Sequence, residues 1–164
     1  MESLHDYVLE YQRQLNRGAI QKAYRGLMEY IMALRRHFAE KYPDHAVSGS
    51  IYYGYMDMTY FALAPKALRD RKLKVAIVFI HEGCRFEAWL AGANKEVQAK
   101  YWKLFKESGW NKYRVVPTTK GADSIVESVL VEDPAFRDLD ALTKQIERAA
   151  RKFMKDVEAF LVDH

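Results

Sequence analysis

Asp57 is the residue whose neighbours in the sequence point most directly to chemistry. It stands among aromatic and methionine residues between positions 52 and 61, where an ionised carboxylate is costly unless it is paired. A carboxylate in such surroundings can act as a metal ligand, a general acid or base, or an activated nucleophile. The alternative is a buried hydrogen-bond anchor, for example to Arg85 or a tyrosine, and we favour it because structural ion pairs also perturb pKa values.

His81, Arg85, Glu87 and Asn94 complete the candidate polar site around Asp57. Alternation along a strand places Arg85 and Glu87 on the same face, beside Trp89. Imidazole and carboxylates suit a divalent metal, but neither His-x-x-x-His nor His-Glu-x-x-His occurs in the chain. We therefore expect no metal and no other cofactor, and no residue is assigned a catalytic role.

Basic residues in the middle of the chain form a second candidate surface. Residues 65–121 contain 13 basic and 5 acidic side chains, whereas residues 122–164 contain 6 and 10. Cations interleaved with Trp102 and Trp110 can follow a phosphate backbone. The candidate anion or nucleic-acid contacts are Lys95, Lys103, Lys106, Lys112, Arg114 and Lys120. We favour two simpler interpretations, a solvated helix face or neutralisation by the acidic last helix.

Apolar spacing predicts the elements that position these residues. Stripes with helical period predict two helices before Pro43, one helix after a cap at Asn94 and a long helix after a cap at Asp138. Residues 51–64, 73–80, 85–91 and 113–117 favour strands, and residues 125–130 predict a short helix. Short connections make the first three strands antiparallel neighbours, and a helical crossover returns the fourth strand to the sheet.

These elements predict an α+β fold with one domain over residues 1–164. Its sheet is mainly antiparallel and four-stranded, in the order α-α-β-β-β-α-β-α-α, and N- and C-terminal helices pack on it. The chain has 164 residues, of which 49% are hydrophobic, and a net charge of +4. This composition excludes a disordered chain. The longest apolar run covers residues 75–80, which is too short to span a membrane.

The order of elements from the second helix to the fourth strand resembles the PD-(D/E)XK nuclease scaffold. That resemblance implies an Asp on one strand and a Glu-x-Lys motif on the next, which hold Mg²⁺. Here the corresponding segment reads Arg85-Phe86-Glu87-Ala88-Trp89, with Trp89 where the lysine is expected. The resemblance therefore concerns the scaffold and does not carry the catalytic motif.

Residues 54–61, 85–95 and 101–104 resemble a family of small uncharacterised bacterial proteins, a domain of unknown function. The resemblance covers nearly the whole chain and implies a stand-alone cytosolic domain without an assigned activity. It singles out Asp57, Arg85, Glu87, Trp89 and Asn94 as the residues that define its signature.

The sequence predicts a non-enzymatic binding or interaction domain that uses the surface around Asp57, Arg85 and Glu87. The alternative is a nuclease-like or nucleic-acid-binding protein that uses residues 65–121, so enzymatic activity stays undecided. The near-heptad stripe of the last helix also predicts a homodimer. No membrane partner is expected, and the partner is otherwise unknown. A single cysteine, Cys84, and a first segment without a secretory pattern predict a cytoplasmic protein. The resemblance to the uncharacterised family implies a bacterial one.

Overall fold

The computed structural model describes residues 2–164, so that only Met1 of the predicted domain lies outside the described residues. It is an α+β fold of helices packed on one antiparallel sheet, as the sequence predicted. The helices are α1 (Leu4–Asn16), α2 (Ala19–Lys41), α3 (Lys66–Arg69), α4 (Lys95–Ser108) and α5 (Leu139–Val162), with a 3₁₀ turn at Pro43–His45. The strands are β1 (Met58–Leu63), β2 (Leu73–Ile80), β3 (Arg85–Gly92), β4 (Arg114–Val115) and β5 (Val126–Val131).

The sheet has five strands in the order β1-β2-β3-β5-β4, so the prediction of four strands was wrong. Residues 126–131, which overlap the short helix predicted for residues 125–130, form β5 between β3 and β4. The apolar spacing in this segment fits a helix, but three valines in six residues favour a strand. The crossover through α4 leads to β4 at the edge of the sheet, where it pairs with β5.

The first strand is shorter than predicted. It begins at Met58, and of the preceding residues only Tyr52 joins the sheet, through an isolated bridge to Tyr60. Gly54 and Met56 have positive φ angles of 73° and 66°, whereas regular β-strands have φ of about −120° to −140°. Asp57 therefore lies in a turn before β1, and the prediction that placed it within a strand was wrong.

One hydrophobic core fills the space between a single face of the sheet and the helices. Alternate residues of β2 and β3 enter it, and α2, α4 and α5 contribute the opposing side chains. The largest side chains that are almost fully buried include Phe38, Phe61, Phe79, Phe86, Phe105 and Phe153. By contrast, α1 has no buried residue, and its main contacts are with α2.

The long last helix begins as predicted, with the Asp138 side chain accepting a hydrogen bond from the Ala141 N–H over 3.1 Å. Its apolar stripe is buried in the protein's own core, for example at Ile146 and Val157. That stripe motivated the prediction of a homodimer, and it is not available to a second copy. Within residues 2–164, no helix has the length and apolar character needed to cross a membrane.

Candidate functional site

The face of the sheet that points away from the core carries the candidate site. Along β3, Phe86, Ala88 and Leu90 point into the core, so that the residues between them face the other way. Those residues are Arg85, Glu87 and Trp89, and they line a groove open to solvent. The sequence predicted this shared face correctly.

Glu87 is the buried centre of this group. Its side chain is only 8% exposed, compared with 35% for Arg85. Arg85 Nε donates a hydrogen bond to one carboxylate oxygen over 2.5 Å, and Trp89 Nε1 donates to the other over 2.8 Å. Two donors thus satisfy a carboxylate that would otherwise be costly to bury. The result is a fixed guanidinium and a fixed indole on the same surface.

A second carboxylate, Glu127, lies on the same face of the neighbouring strand β5. Trp89 stands opposite Glu127, and Glu87 stands opposite Val129, so that the two carboxylates are diagonal neighbours. Glu127 accepts a hydrogen bond from Ser124 Oγ over 2.7 Å and pairs with Arg114 of β4. Each of the two carboxylates therefore has its own arginine.

The groove between these pairs has a volume of about 700 Å³. Two smaller grooves, of about 310 and 470 Å³, share Trp89 with it. We call the largest of the three the sheet groove. Its charged lining comprises Arg85, Arg114, Glu87, Glu127 and Glu132, and Ile80 and Val129 add apolar surface. The groove thus offers charges of both signs beside an aromatic wall, and its volume is that of ordinary ligand pockets.

Asp57 does not join Arg85 and Glu87 through any contact. It is exposed, and its carboxylate accepts a hydrogen bond from the Tyr55 N–H over 2.9 Å. Backbone hydrogen bonds from Tyr55 and Met58 lower the pKa of Asp57 below its ordinary value. The residue stabilises the turn before β1, and the expected pairing with Arg85 or a tyrosine side chain is not formed.

His81 belongs to the region of Asp57, on the core side of the sheet. Its Nε2 lies 2.8 Å from Thr59 Oγ1, and its ring packs against Tyr24 and Phe79. Burial lowers the pKa of His81, although the charge of Asp57 opposes that effect. Asp57 and His81 therefore form one group, whereas Arg85 and Glu87 form another on the opposite face.

Asn94 lies at the other end of β3 and caps α4. Its side-chain oxygen accepts a hydrogen bond from the Val97 N–H over 2.9 Å. Within residues 2–164, no group of three or more His, Cys, Asp or Glu side chains is arranged to hold a metal ion. The five predicted polar residues are thus distributed over three places in the fold.

The predicted basic contacts are also distributed over several surfaces. Lys112 pairs with Asp156 of α5, whereas Arg114 pairs with Glu127 in the sheet groove. The others are exposed on α4 or in the segment between β4 and β5, at Lys95, Lys103, Lys106 and Lys120. The structure does not gather the six residues on a single face.

Sequence reasoning missed Glu127 and Ser124. Interpreting residues 125–130 as a helix removed the strand that places Glu127 beside Trp89. The signal that could have found them is the valine content of that segment, which favours a strand.

A profile of a domain of unknown function (DUF7000) matches residues 4–161. The chain belongs to this family. The DUF7000 match covers every helix and strand up to the last turn of α5, and therefore includes the whole candidate site. It confirms the resemblance to a domain of unknown function. No curated protein and no solved structure matches the chain.

Proposed function

We propose that this DUF7000 protein is a non-enzymatic binding domain and that its ligand site is the sheet groove around Arg85, Glu87 and Trp89. The observation that carries the proposal is the fixed position of Arg85. The Arg85 Nε donates a hydrogen bond to Glu87, while the two terminal nitrogens of Arg85 form no hydrogen bond within residues 2–164. A guanidinium held in this way is prepared to donate two hydrogen bonds to a carboxylate.

The chemistry of the lining favours a zwitterionic ligand such as a short peptide. Arg85 binds the ligand's carboxylate, and Glu132, which forms no ion pair in the described residues, binds its ammonium group. Trp89 and Val129 contact the apolar part, and Val129 is 52% exposed. Charges of both signs beside an aromatic side chain thus match a molecule that carries both charges.

Nucleic-acid binding through residues 65–121 has weaker support. Lys112 and Arg114 are only two residues apart, but each is paired with a carboxylate on a different surface.

A location in the bacterial cytoplasm fits the exposed thiol of Cys84, because a reducing compartment keeps such a thiol free.

Isothermal titration with a set of dipeptides and tripeptides tests the proposal. We expect binding to the wild-type protein, and an affinity lower by about tenfold or more in Arg85→Lys and in Trp89→Phe. For Arg85→Lys the reason is that lysine lacks the planar fork of the guanidinium group. Trp102→Phe is the matched control, since the Trp102 indole donates to the Val116 carbonyl. Equal binding by Arg85→Lys, or no binding of any peptide to the wild type, would contradict the proposed site. Chemical conversion of a bound peptide, detected by mass spectrometry, would contradict a purely binding role.

A further inference from the structure

A row of five cations runs along the exposed side of α5, opposite its buried stripe. Steps of three or four residues separate most of its members, so they lie on one helix face. The row covers about 16 Å of helix at about 1.5 Å per residue. It consists of Lys144, Arg148, Arg151, Lys152 and Lys155. The sequence interpretation treated this region as an acidic tail and did not detect the row.

The row forms one wall of a groove of about 600 Å³, to which Lys41 of α2 adds a sixth cation. Only two acidic residues, Glu147 and Asp156, share the lining. We call this surface the cationic groove. Its lining thus has a clear excess of positive charge.

Both acidic residues of the cationic groove are already bonded to other side chains of the protein. Glu147 contacts His37 over 2.5 Å and Lys41 over 2.7 Å, and it also accepts a hydrogen bond from Tyr42. Asp156 accepts hydrogen bonds from the Tyr113 hydroxyl over 2.6 Å and from Lys152 over 2.8 Å.

These bonds leave four cations of the row without an ion pair in residues 2–164. They are Lys144, Arg148, Arg151 and Lys155. Unpaired cations on one helix face attract a polyanion through the electrostatic field that they share.

The neighbouring aromatic rings are not free to stack on bases. The Arg151 guanidinium lies 5.2 Å from the centre of the Tyr42 ring, and His45 stacks against the same ring at 5.1 Å. Tyr113 is held by its bond to Asp156. Single-stranded nucleic acid is normally bound through exposed aromatic rings, so this surface fits a duplex better.

The surface also differs from a membrane-binding helix, which places large apolar residues beside its cations. The exposed large hydrophobic residues of α5 are Leu139 and Val162, at the two ends of the helix and outside the cationic row. We propose that the cationic groove binds the phosphate backbone of double-stranded nucleic acid without sequence preference. This inference is independent of the peptide site, because the sheet groove shares no lining residue with it.

Fluorescence anisotropy with a labelled DNA duplex of about 20 base pairs, at about 50 mM salt, tests the inference. The test variant is Lys144→Gln/Arg148→Gln/Lys155→Gln, which removes three exposed cations that form no ion pair. The control is Lys95→Gln/Lys103→Gln/Lys106→Gln, which removes three exposed cations from α4. Because all six positions are exposed, we expect both variants to fold, and thermal melting verifies this.

We expect the α5 variant to lose about tenfold or more in affinity and the α4 control less than about twofold. The slope of log affinity against log salt should fall by about 3 in the α5 variant, because about one counterion is released per phosphate contact. An RNA duplex is measured in parallel. Binding of either duplex supports the inference, and the tighter of the two identifies the preferred backbone.

Four results would overturn the inference. They are equal losses in both variants, no binding to either duplex at low salt, tighter binding of a single strand of the same length, and binding to phosphatidylserine vesicles without binding to a duplex. Peptide titration of the α5 variant separates the two sites. The peptide affinity of the α5 variant should equal that of the wild type if the sheet groove functions independently.

Discussion

Arg85 Nε lies 2.5 Å from a carboxylate oxygen of Glu87, two residues along the same strand. Residues two apart on a strand share a face, so this pair is a direct consequence of the β3 register. The second Glu87 oxygen accepts the Trp89 indole N–H. Three alternate residues of one strand thus fix one another before any ligand arrives, and such preorganisation lowers the entropic cost of binding.

Glu87→Gln should destabilise the protein by about 2 kcal/mol, because the change removes a charged acceptor that is bonded to two donors. Urea denaturation at neutral pH measures the loss. Glu82→Gln, at an exposed position in the adjacent turn, is the control and should change stability by less than about 0.5 kcal/mol. Equal stabilities of the Glu87→Gln variant and the wild type would show that the pair contributes nothing measurable.

Gly54→Ala should destabilise the turn that contains Asp57. A Cβ atom at Gly54 would lie 2.0 Å from the Met58 carbonyl oxygen, and the residue has a φ of +73°. Gly18→Ala is the control, since Gly18 has a similar φ of +79° with no atom within 4 Å of the added Cβ. Both variants should lose about 1 kcal/mol from the left-handed backbone. Only Gly54→Ala should lose about 2 kcal/mol more from the clash. Similar unfolding midpoints for the two variants would argue against this explanation.

The sequence predicted most of the helices and the antiparallel hairpin of β2 and β3. Helix caps such as Asn94 and Asp138 are local signals, and they gave the starts of α4 and α5 correctly. The segments that were wrong have local patterns that two structures can satisfy. Residues 126–131 match a helical spacing although their valines favour a strand, and pairing with β3 and β4 makes them a strand.

The candidate site shows the same division. The shared face of Arg85, Glu87 and Trp89 follows from alternation on one strand, and it was predicted. The position of Trp89 opposite Glu127 depends on the β3–β5 register, which a single sequence does not reveal. Asp57 was misplaced because a turn with positive φ at Gly54 and Met56 interrupts an apparently continuous strand.

Asn94→Ala should weaken α4 without weakening peptide binding. Removing an N-cap side chain costs about 1 kcal/mol, and Asn94→Ser should restore most of it because serine also accepts the Val97 N–H. Urea denaturation gives the stabilities, and titration with the peptide that binds the wild type gives the affinities. A loss of peptide affinity at unchanged stability would instead place Asn94 in the ligand site.

Glu147→Gln should reduce stability at neutral pH and leave it nearly unchanged in strong acid. Burial alone would raise the pKa of Glu147, but hydrogen bonds from His37, Lys41 and Tyr42 outweigh burial and lower the pKa from 4.5 to about 2. Because the folded pKa lies below the unfolded value, the stabilisation is complete above about pH 5 and is lost as pH falls toward 2.

The shift corresponds to about 3 kcal/mol at pH 7 and about 1 kcal/mol near pH 3. Urea denaturation of the wild type and of Glu147→Gln at pH 7, 5 and 3 measures this difference. Asp156, whose pKa is also held at about 2, titrates equally in both proteins and cancels in the difference. Glu40→Gln, an exposed change on α2, should have no such pH dependence. A difference that stays constant down to pH 3 would show that the carboxylate's charge is not what joins α2 to α5.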